Sequence, residues 1–270
     1  MRPGVAPFSA RSPRVVAARR LSRRRQRDQT GRFLAEGPQA VREAVRAGAV
    51  AELFATAAGL ARHPEFAATL ASLVTEDALA ALAETVAPQG LVAVCRQFDV
   101  PLADALSGPP RLVALLADVR DPGNAGTVLR TADAAGAGAV VFAGDAVDPY
   151  NGKCVRASAG SLFHVPVGRH RDPAAAVAAA RAAGLTVLAA TGYGDSDLHD
   201  LAAAGGLARP TAWLFGAEAH GLPEGLLAAA DARVRVPLYG RAESLNLAAA
   251  AAVCLYTSAR AQHEARGVGS

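Results

Sequence analysis

Leu112-Val-Ala-Leu-Leu-Ala117-Asp118-Val-Arg-Asp121-Pro-Gly-Asn124-Ala-Gly126-Thr-Val-Leu-Arg130-Thr-Ala-Asp-Ala-Ala-Gly136 is the stretch that decides how this chain is read. Residues 112–117 are an unbroken apolar run of buried-strand length. Asp121-Pro122-Gly123 is a turn signal. Asn124 is a good helix N-cap, and residues 125–135 read as a helix stopped by Gly136. A strand thus feeds a tight polar loop, which feeds a helix carrying Arg130 in its second turn. That puts an amide and a guanidinium above the carboxyl edge of a sheet, where open α/β folds bind ligands. Taken alone, the stretch favours an ordinary strand–helix turn with a surface arginine.

The same alternation extends in both directions. Downstream, strands are expected over residues 139–143, 164–167, 185–190, 211–215 and 233–236, with helices over 172–183, 223–230 and 246–262. Apolar strands alternating with helices imply a largely parallel sheet covered on both faces. Upstream, Ser107-Gly-Pro-Pro110 reads as a linker over residues 107–111, because glycine followed by paired prolines fits neither a helix nor an internal strand. Before it lies a smaller α/β series over residues 31–106. Its strands are expected at 32–36, 50–56, 73–75 and 91–96. Its helices are expected from Pro38, over 64–72 and over 76–84. Residues 1–30 have low hydrophobic periodicity and are expected to be a flexible basic arm. The larger domain is assigned to residues 112–265.

Charge is unevenly spread. The 270 residues carry 28 basic and 24 acidic side chains, and Lys153 is the only lysine. Residues 1–32 hold ten arginines and one acid, Asp28. Residues 33–106 hold four basic and nine acidic side chains, and residues 107–270 hold fourteen of each. A basic segment on an acidic or neutral body suggests a polyanion, with RNA favoured over a targeting peptide or a solvated tail. Cys95, Cys154 and Cys254 are far apart and form no metal-ligand spacing, so neither a disulfide framework nor a metal site is expected. A reducing cytoplasm fits this cysteine usage. The longest apolar stretch, residues 245–256, is too short to span a bilayer.

Two later motifs give the opening stretch more meaning. Leu214-Phe-Gly216-Ala-Glu218-Ala-His-Gly221-Leu222-Pro223 again runs from a strand through glycines into a helix. Gly216 and Gly221 permit close backbone approach or positive φ. Val234-Arg-Val236-Pro237-Leu238-Tyr-Gly-Arg-Ala-Glu-Ser244-Leu245-Asn246 leads from a strand to a helix rich in small residues. Its N-terminus offers unpaired N–H donors, and Ser244 alone is adequately explained as a cap. No G-x-G-x-x-G follows the first strand of either domain, which weakens a dinucleotide-binding oxidoreductase.

In this order, Asn124-x-Gly126-x-x-x-Arg130, Gly216-x-Glu218-x-x-Gly221-Leu222 and Val236-Pro237 through Ser244-Leu245-Asn246 resemble the SpoU/TrmH branch of the SPOUT RNA 2′-O-ribose methyltransferases. Val155-Arg156-Ala-Ser158-Ala-Gly160-Ser161-Leu-Phe-His164-Val-Pro166 is similar to that family's linking segment, and Arg32-Phe-Leu-Ala-Glu36-Gly37 to the start of its N-terminal domain. Ala217, Val236 and Leu238 depart mildly from the family pattern. The resemblance implies a C-terminal trefoil-knotted domain with a mainly parallel sheet, and a small ribosomal-protein-like α/β domain that binds substrate. It implies S-adenosylmethionine as cofactor and a homodimer with the last helix at its interface. The implied substrate is a ribose 2′-hydroxyl in RNA, large-subunit (23S) rRNA before tRNA. The alternative is a non-catalytic RNA-binding protein on the same fold. Arg130 is expected to clamp a phosphate and stabilise the forming alkoxide, with Asn124, Glu218, Ser244 and Asn246 orienting it, the ribose and the cofactor. Gly216, Val236, Leu245 and Thr191 are expected to line the cofactor pocket.

Overall fold

The computed structural model describes residues 6–66, 69 and 71–267. The chain divides into two compact units. Unit 1 takes residues up to Phe98 together with Tyr150–His164, and unit 2 takes Asp99–Pro149 and residues from Val165 onward. The expected linker at 107–111 is therefore not the boundary. The crossing falls earlier, because Val100 already donates its N–H to Val167 of unit 2 at 2.9 Å.

Unit 1 opens with α1 (Pro13–Arg19) and α2 (Arg24–Thr30), separated by a single 3₁₀ turn at Arg20–Ser22. Over the described residues 6–30 this corrects the expected flexible arm; residues 1–5 lie outside the described residues. Val15, Ala18 and Leu21 recur at three-residue spacing, and all are buried against Phe54, Val74, Leu79, Val92 and Val94. An apolar stripe at that spacing lies on one face of a helix and is stabilised by burial. The arginines between the apolar positions had masked it.

There follow β1 (Arg32–Glu36), α3 (Pro38–Arg46), β2 (Val50–Ala55), α4 (Ala57–Arg62), β3 (Ala71–Leu73), α5 (Glu76–Leu82) and β4 (Leu91–Arg96). The sheet order is β1-β4-β2-β3, with only the β2–β3 pair parallel. Where a helix is expected at 64–72, Pro64–Phe66 form a 3₁₀ turn and β3 begins at Ala71, while residues 67, 68 and 70 lie outside the described residues; the strand expected at 73–75 is β3, two residues earlier. Gly59 explains why α4 can form where no helix was expected. The backbone of Gly90 packs directly on it, and a Cβ would lie 2.8 Å from the Gly90 carbonyl carbon.

Unit 2 contains α6 (Leu102–Ala105), β5 (Leu112–Ala117), α7 (Pro122–Ala134) and β6 (Ala139–Ala143). The chain then returns to unit 1 for Tyr150–His164, which holds α8 (Gly152–Ala157). There Tyr150 and Phe163 complete an aromatic cluster with Phe33 and Phe98. Ring centroids are 4.6 Å apart for Phe33–Tyr150 and 5.6 Å for Phe98–Phe163. Arg156 bridges Glu84 at 2.9 Å and Glu36 at 3.5 Å within the same unit.

Back in unit 2 come β7 (Val167–His170), α9 (Pro173–Ala182), β8 (Thr186–Ala190), β9 (Ser196–Asp197), α10 (Leu198–Ala203), β10 (Thr211–Phe215), α11 (Glu224–Ala229), β11 (Ala232–Arg235) and α12 (Leu247–Gly267). The seven strands lie in the order β7-β6-β5-β10-β8-β11-β9, every pair parallel. β5, β6 and β10 are buried along their whole length, as strands covered on both faces should be. β7 starts three residues after the expected 164, because Pro166 has no N–H for the ladder and contributes only its carbonyl, to Val140. Among the described residues no helix is long and apolar enough to cross a membrane.

Candidate active site

Parallel strands put all their carboxyl ends on one edge. The loops there follow β5 (residues 118–121), β10 (216–222), β8 (191–195) and β11 (236–246), and β5, β10, β8 and β11 are successive neighbours in the sheet. The sequence builds a distinct close approach at each. Asp118 ends β5 with φ +55°, a left-handed backbone few non-glycine residues adopt. Its Oδ1 accepts from the Asp145 N–H at 2.7 Å, anchoring the turn. In the β10 loop a Cβ at Gly216 would run into the carbonyl of Gly221 and lie 2.6 Å from the Leu222 nitrogen. In the β8 loop a Cβ at Gly194 would lie 2.6 Å from the Arg235 nitrogen. Arg235 Nη1 donates to the Gly194 carbonyl at 2.9 Å, and Thr191 N–H to Val234 O at 3.0 Å, which pins that loop to β11.

Helix α7 begins earlier than expected. Asp121, not Asn124, is its N-cap: the carboxylate accepts the Asn124 N–H at 2.7 Å, and Pro122 occupies the first turn. Aspartate before proline is a strong helix-entry pair, since proline's missing N–H is one the helix leaves unpaired anyway. The shift matters chemically. With the cap supplied by Asp121, the Asn124 side chain is free for long-range bonds.

It makes two. Asn124 Nδ2 donates to Glu218 Oε1 at 3.1 Å, and Asn124 Oδ1 accepts from Asn246 Nδ2 at 3.0 Å. Asn246 in turn caps α12, its Oδ1 accepting from Ala248 N–H at 2.9 Å. One hydrogen-bond chain therefore joins all three motifs. Its polarity is fixed at both ends: the α12 backbone offers only donors, and an ionised carboxylate only acceptors. Both amide orientations follow. Glu218 also accepts from Asp121 N–H at 3.3 Å and lies 3.4 Å from Arg120 N–H. Partial burial opposes its charge, but the bonds from Asn124 and from backbone N–H groups, those of Arg120 and Asp121 among them, outweigh this. They hold the carboxyl below the usual carboxylate range.

Arg130 stands apart from that chain. It is exposed and makes no ion pair or side-chain hydrogen bond with another described residue. At about 100° per residue, Asn124, Thr127, Arg130 and Thr131 share an arc of about 120° on α7. Thr127 and Thr131 turn their hydroxyls onto carbonyls of the preceding turn, Gly123 and Thr127, at 2.8 and 2.9 Å. That leaves Arg130 as the functional group of this face. Ser244 is also exposed, in the loop before α12, and it is not the cap. Val236 is half-buried, and Leu245 is 39% exposed. Thr191 sits half-buried at the start of the β8 loop. The structure thus brings Asn124, Glu218 and Asn246 into direct contact. It ranges Thr191, Gly216, Val236, Ser244 and Leu245 along the same sheet edge without side-chain bonds joining them. Asp118 and Asp121, which shape the entry to α7, were missed as site residues. For Asp121 the signal was its place before Pro122.

The resemblance implies S-adenosylmethionine, whose adenine and amino-acid ends need backbone polar groups beside apolar walls. The loops fit that need. Glycines at 192, 221 and 240 leave bare backbone, since a Cβ at any of them meets nothing within 4 Å. Val236, Leu238 and Leu245 supply apolar surface beside them, with Leu238 40% exposed.

The wider likenesses agree with this geometry. The pattern of the SpoU rRNA Methylase family matches residues 111–256, and that of the MRM3-like substrate binding domain matches residues 12–93. The chain is 37% identical over 251 residues to the 23S rRNA (guanosine(2553)-2′-O)-methyltransferase RlmP of Bacillus subtilis, spanning 92% of this chain and 96% of that one. The SpoU methyltransferase AviRb of Streptomyces viridochromogenes, solved with the cofactor AdoMet, is similar with a TM-score of 0.80 at 31% identity. That match covers 94% of this chain and all of AviRb. An AdoMet-bound rRNA methyltransferase from Sinorhizobium meliloti gives a TM-score of 0.77 at 32% identity, over 92% and 95% of the two chains. With a family pattern across more than half its length and a relative aligned nearly end to end, the chain belongs to the SpoU rRNA methylase family.

Proposed function

We propose that this protein methylates a ribose 2′-hydroxyl of 23S rRNA, using S-adenosylmethionine. The observation that carries this reading is the Glu218–Asn124–Asn246 chain, which ties three motifs together on the helix that also carries Arg130, an arginine with no side-chain partner among the described residues. The nearly full-length likeness to a 23S rRNA 2′-O-methyltransferase supports the substrate. Bound in the loops of Thr191, Gly216, Val236 and Leu245, the cofactor supplies an already activated methyl on its sulfonium.

The residues then position and polarise. Guanidinium groups are poor bases, so the role of Arg130 is a clamp. Its planar fork would hold a substrate phosphate bidentately and place positive charge beside the oxygen as it becomes nucleophilic, the hydroxyl proton leaving to water. Glu218, held ionised, is a weak proton acceptor. It orients Asn124, receives the backbone N–H groups at the entry to α7 and so sets the helix that carries Arg130. Asn246 fixes the start of α12. Ser244, with no side-chain partner among the described residues, offers a hydroxyl to the ribose or to the amino-acid end of the cofactor.

The trefoil knot and the homodimer are part of the same proposal. Tyr256, half exposed on α12, supports that helix as an interface element. A cytoplasmic location belongs to the same proposal, supported by the rRNA substrate.

The test is transfer of labelled methyl from S-adenosylmethionine to 23S rRNA and, separately, to tRNA, with the product mapped by resistance of the modified linkage to alkaline cleavage. One protected linkage in 23S rRNA is expected. Label only in tRNA would move the substrate, and no transfer to either RNA would refute the reading.

A further inference from the structure

Nine of the ten arginines of residues 1–32 fall within the described residues, in a folded segment rather than a tail. With Val15, Ala18, Leu21 and Arg27 buried, most other positions of α1, the 3₁₀ turn and α2 face outward. Arg19, Arg20, Arg23 and Arg25 are all exposed and make no side-chain hydrogen bond or ion pair with another described residue. Their neighbours are accounted for: Arg14 pairs with Glu52 at 2.7 Å, and Arg24 lies 3.7 Å from Asp28.

Arg27 has the opposite fate. It is 2% exposed, and its Nη1 donates to the carbonyls of Leu21 and Ser22 at 3.0 and 2.9 Å. One buried guanidinium thus clasps the bend that displays the others. A preset display avoids much of the ordering cost a tail would bear on binding.

A second observation lies one residue beyond α2. Gly31 ends that helix in a left-handed conformation, and Arg32 opens β1 directly opposite Arg96 of β4. Directly opposed residues of an antiparallel pair share a face, and like charges there repel. Both arginines are exposed, and neither makes an ion pair with a described residue. Arg96 Nη2 donates to the Gly48 carbonyl at 2.5 Å, and an anion laid across the pair would offset the repulsion between the two like charges.

We propose that α1, its 3₁₀ turn and α2, together with Arg32 and Arg96, form the surface that grips the phosphate backbone of the substrate rRNA, chiefly through Arg19, Arg20, Arg23 and Arg25. The proposal rests on the rRNA reading above and adds the place and mode of contact. These contacts hold the RNA without reading its sequence. A membrane fits the surface less well, since an interfacial helix needs an outward apolar face and these helices turn theirs inward.

The test replaces the four arginines by serine in the full chain, with a four-lysine version as control. KM and kcat for 23S rRNA are measured between about 50 and 200 mM salt. The serine variant should raise KM about tenfold or more, leave kcat at saturating RNA within about twofold, and lower the log–log salt slope by about 3, as four lost phosphate contacts require. The lysine version should keep both the KM and the slope, which a purely structural role would not explain. Unchanged KM and slope in the serine variant would overturn the proposal, as would retained rRNA affinity with lost binding to phosphatidylserine vesicles. If the serine variant melts, Arg32→Ser with Arg96→Ser gives the same readout with about half the slope change. If the wild type methylates no rRNA, the functional reading fails. Salt-dependent filter binding of the same rRNA by wild type and serine variant then decides the surface alone.

Discussion

Asn124 and Arg130 sit six residues apart on one face of one helix and are held in opposite ways. Asn124 has its donor and acceptor both engaged, by Glu218 and Asn246. Arg130 reaches into solvent with no partner among the described residues. The difference separates frame from tool. Hydrogen bonds within the protein fix where the helix starts and which way its first turn faces. The group with the strongest charge is kept unpaired, so a ligand phosphate need displace nothing to reach it. Preorganisation of this kind lowers the cost of binding at the moment of reaction.

The sharpest way to test the division is to remove the tool and leave the frame. Arg130→Ala should cost on the order of 10²–10³-fold or more in kcat/KM for RNA, as loss of a charge-stabilising donor does. Affinity for S-adenosylmethionine by calorimetry should stay near wild type, and melting should move little, because exposed side chains away from packing contribute little. Turnover close to wild type would remove Arg130 from the chemistry.

Breaking the frame should look different. Gly216→Ala drives a methyl into the carbonyl of Gly221 and toward the Leu222 nitrogen, neither of which can rotate away. A loss of about 1–3 kcal/mol in stability is expected, read as a lower Tm together with weakened cofactor binding. An unshifted Tm would show that the loop has room the structure denies.

The smallest effect should come from Glu218→Gln, and it is visible in its pH dependence. The folded-state pKa of Glu218 lies below the ordinary 4.5. Its carboxylate therefore stabilises the fold above that value and loses the contribution as pH falls through the lower folded-state value. The Tm difference between wild type and Glu218→Gln should be present at neutral pH and close on acidification below about 4.5. A difference that persists unchanged into strong acid would separate Glu218's role from its charge.

Much of this site could be read from the chain itself. β5 and β6 are apolar throughout, and β10 is apolar after Thr211, because both faces of the sheet are covered, so run length located them. The three motifs were legible because glycines and polar residues interrupt those runs at their carboxyl ends. From sequence, Asn124 reads as the cap of α7, since Asp-Pro-Gly signals a turn as readily as a helix entry, and only the fold shows Asp121 bonded to the Asn124 N–H. Val15, Ala18 and Leu21 held the helical spacing, but the arginines around them lowered the local hydropathy. The pairing of Asn124 with residues 94 and 122 positions away is a tertiary fact with no local trace.

Unit 1 is written in two pieces, and that has a consequence for how the protein is made. Phe33 and Phe98 come from the first piece, while Tyr150 and Phe163 come from the second. A growing chain cannot close this aromatic cluster until residue 163 has been synthesised, by which point β5, α7 and β6 of unit 2 are already present. Domains encoded contiguously can fold one after another during synthesis. Here the earlier unit must wait for the later one to begin, so a ribosome stalled between the two pieces would hold a half-covered core.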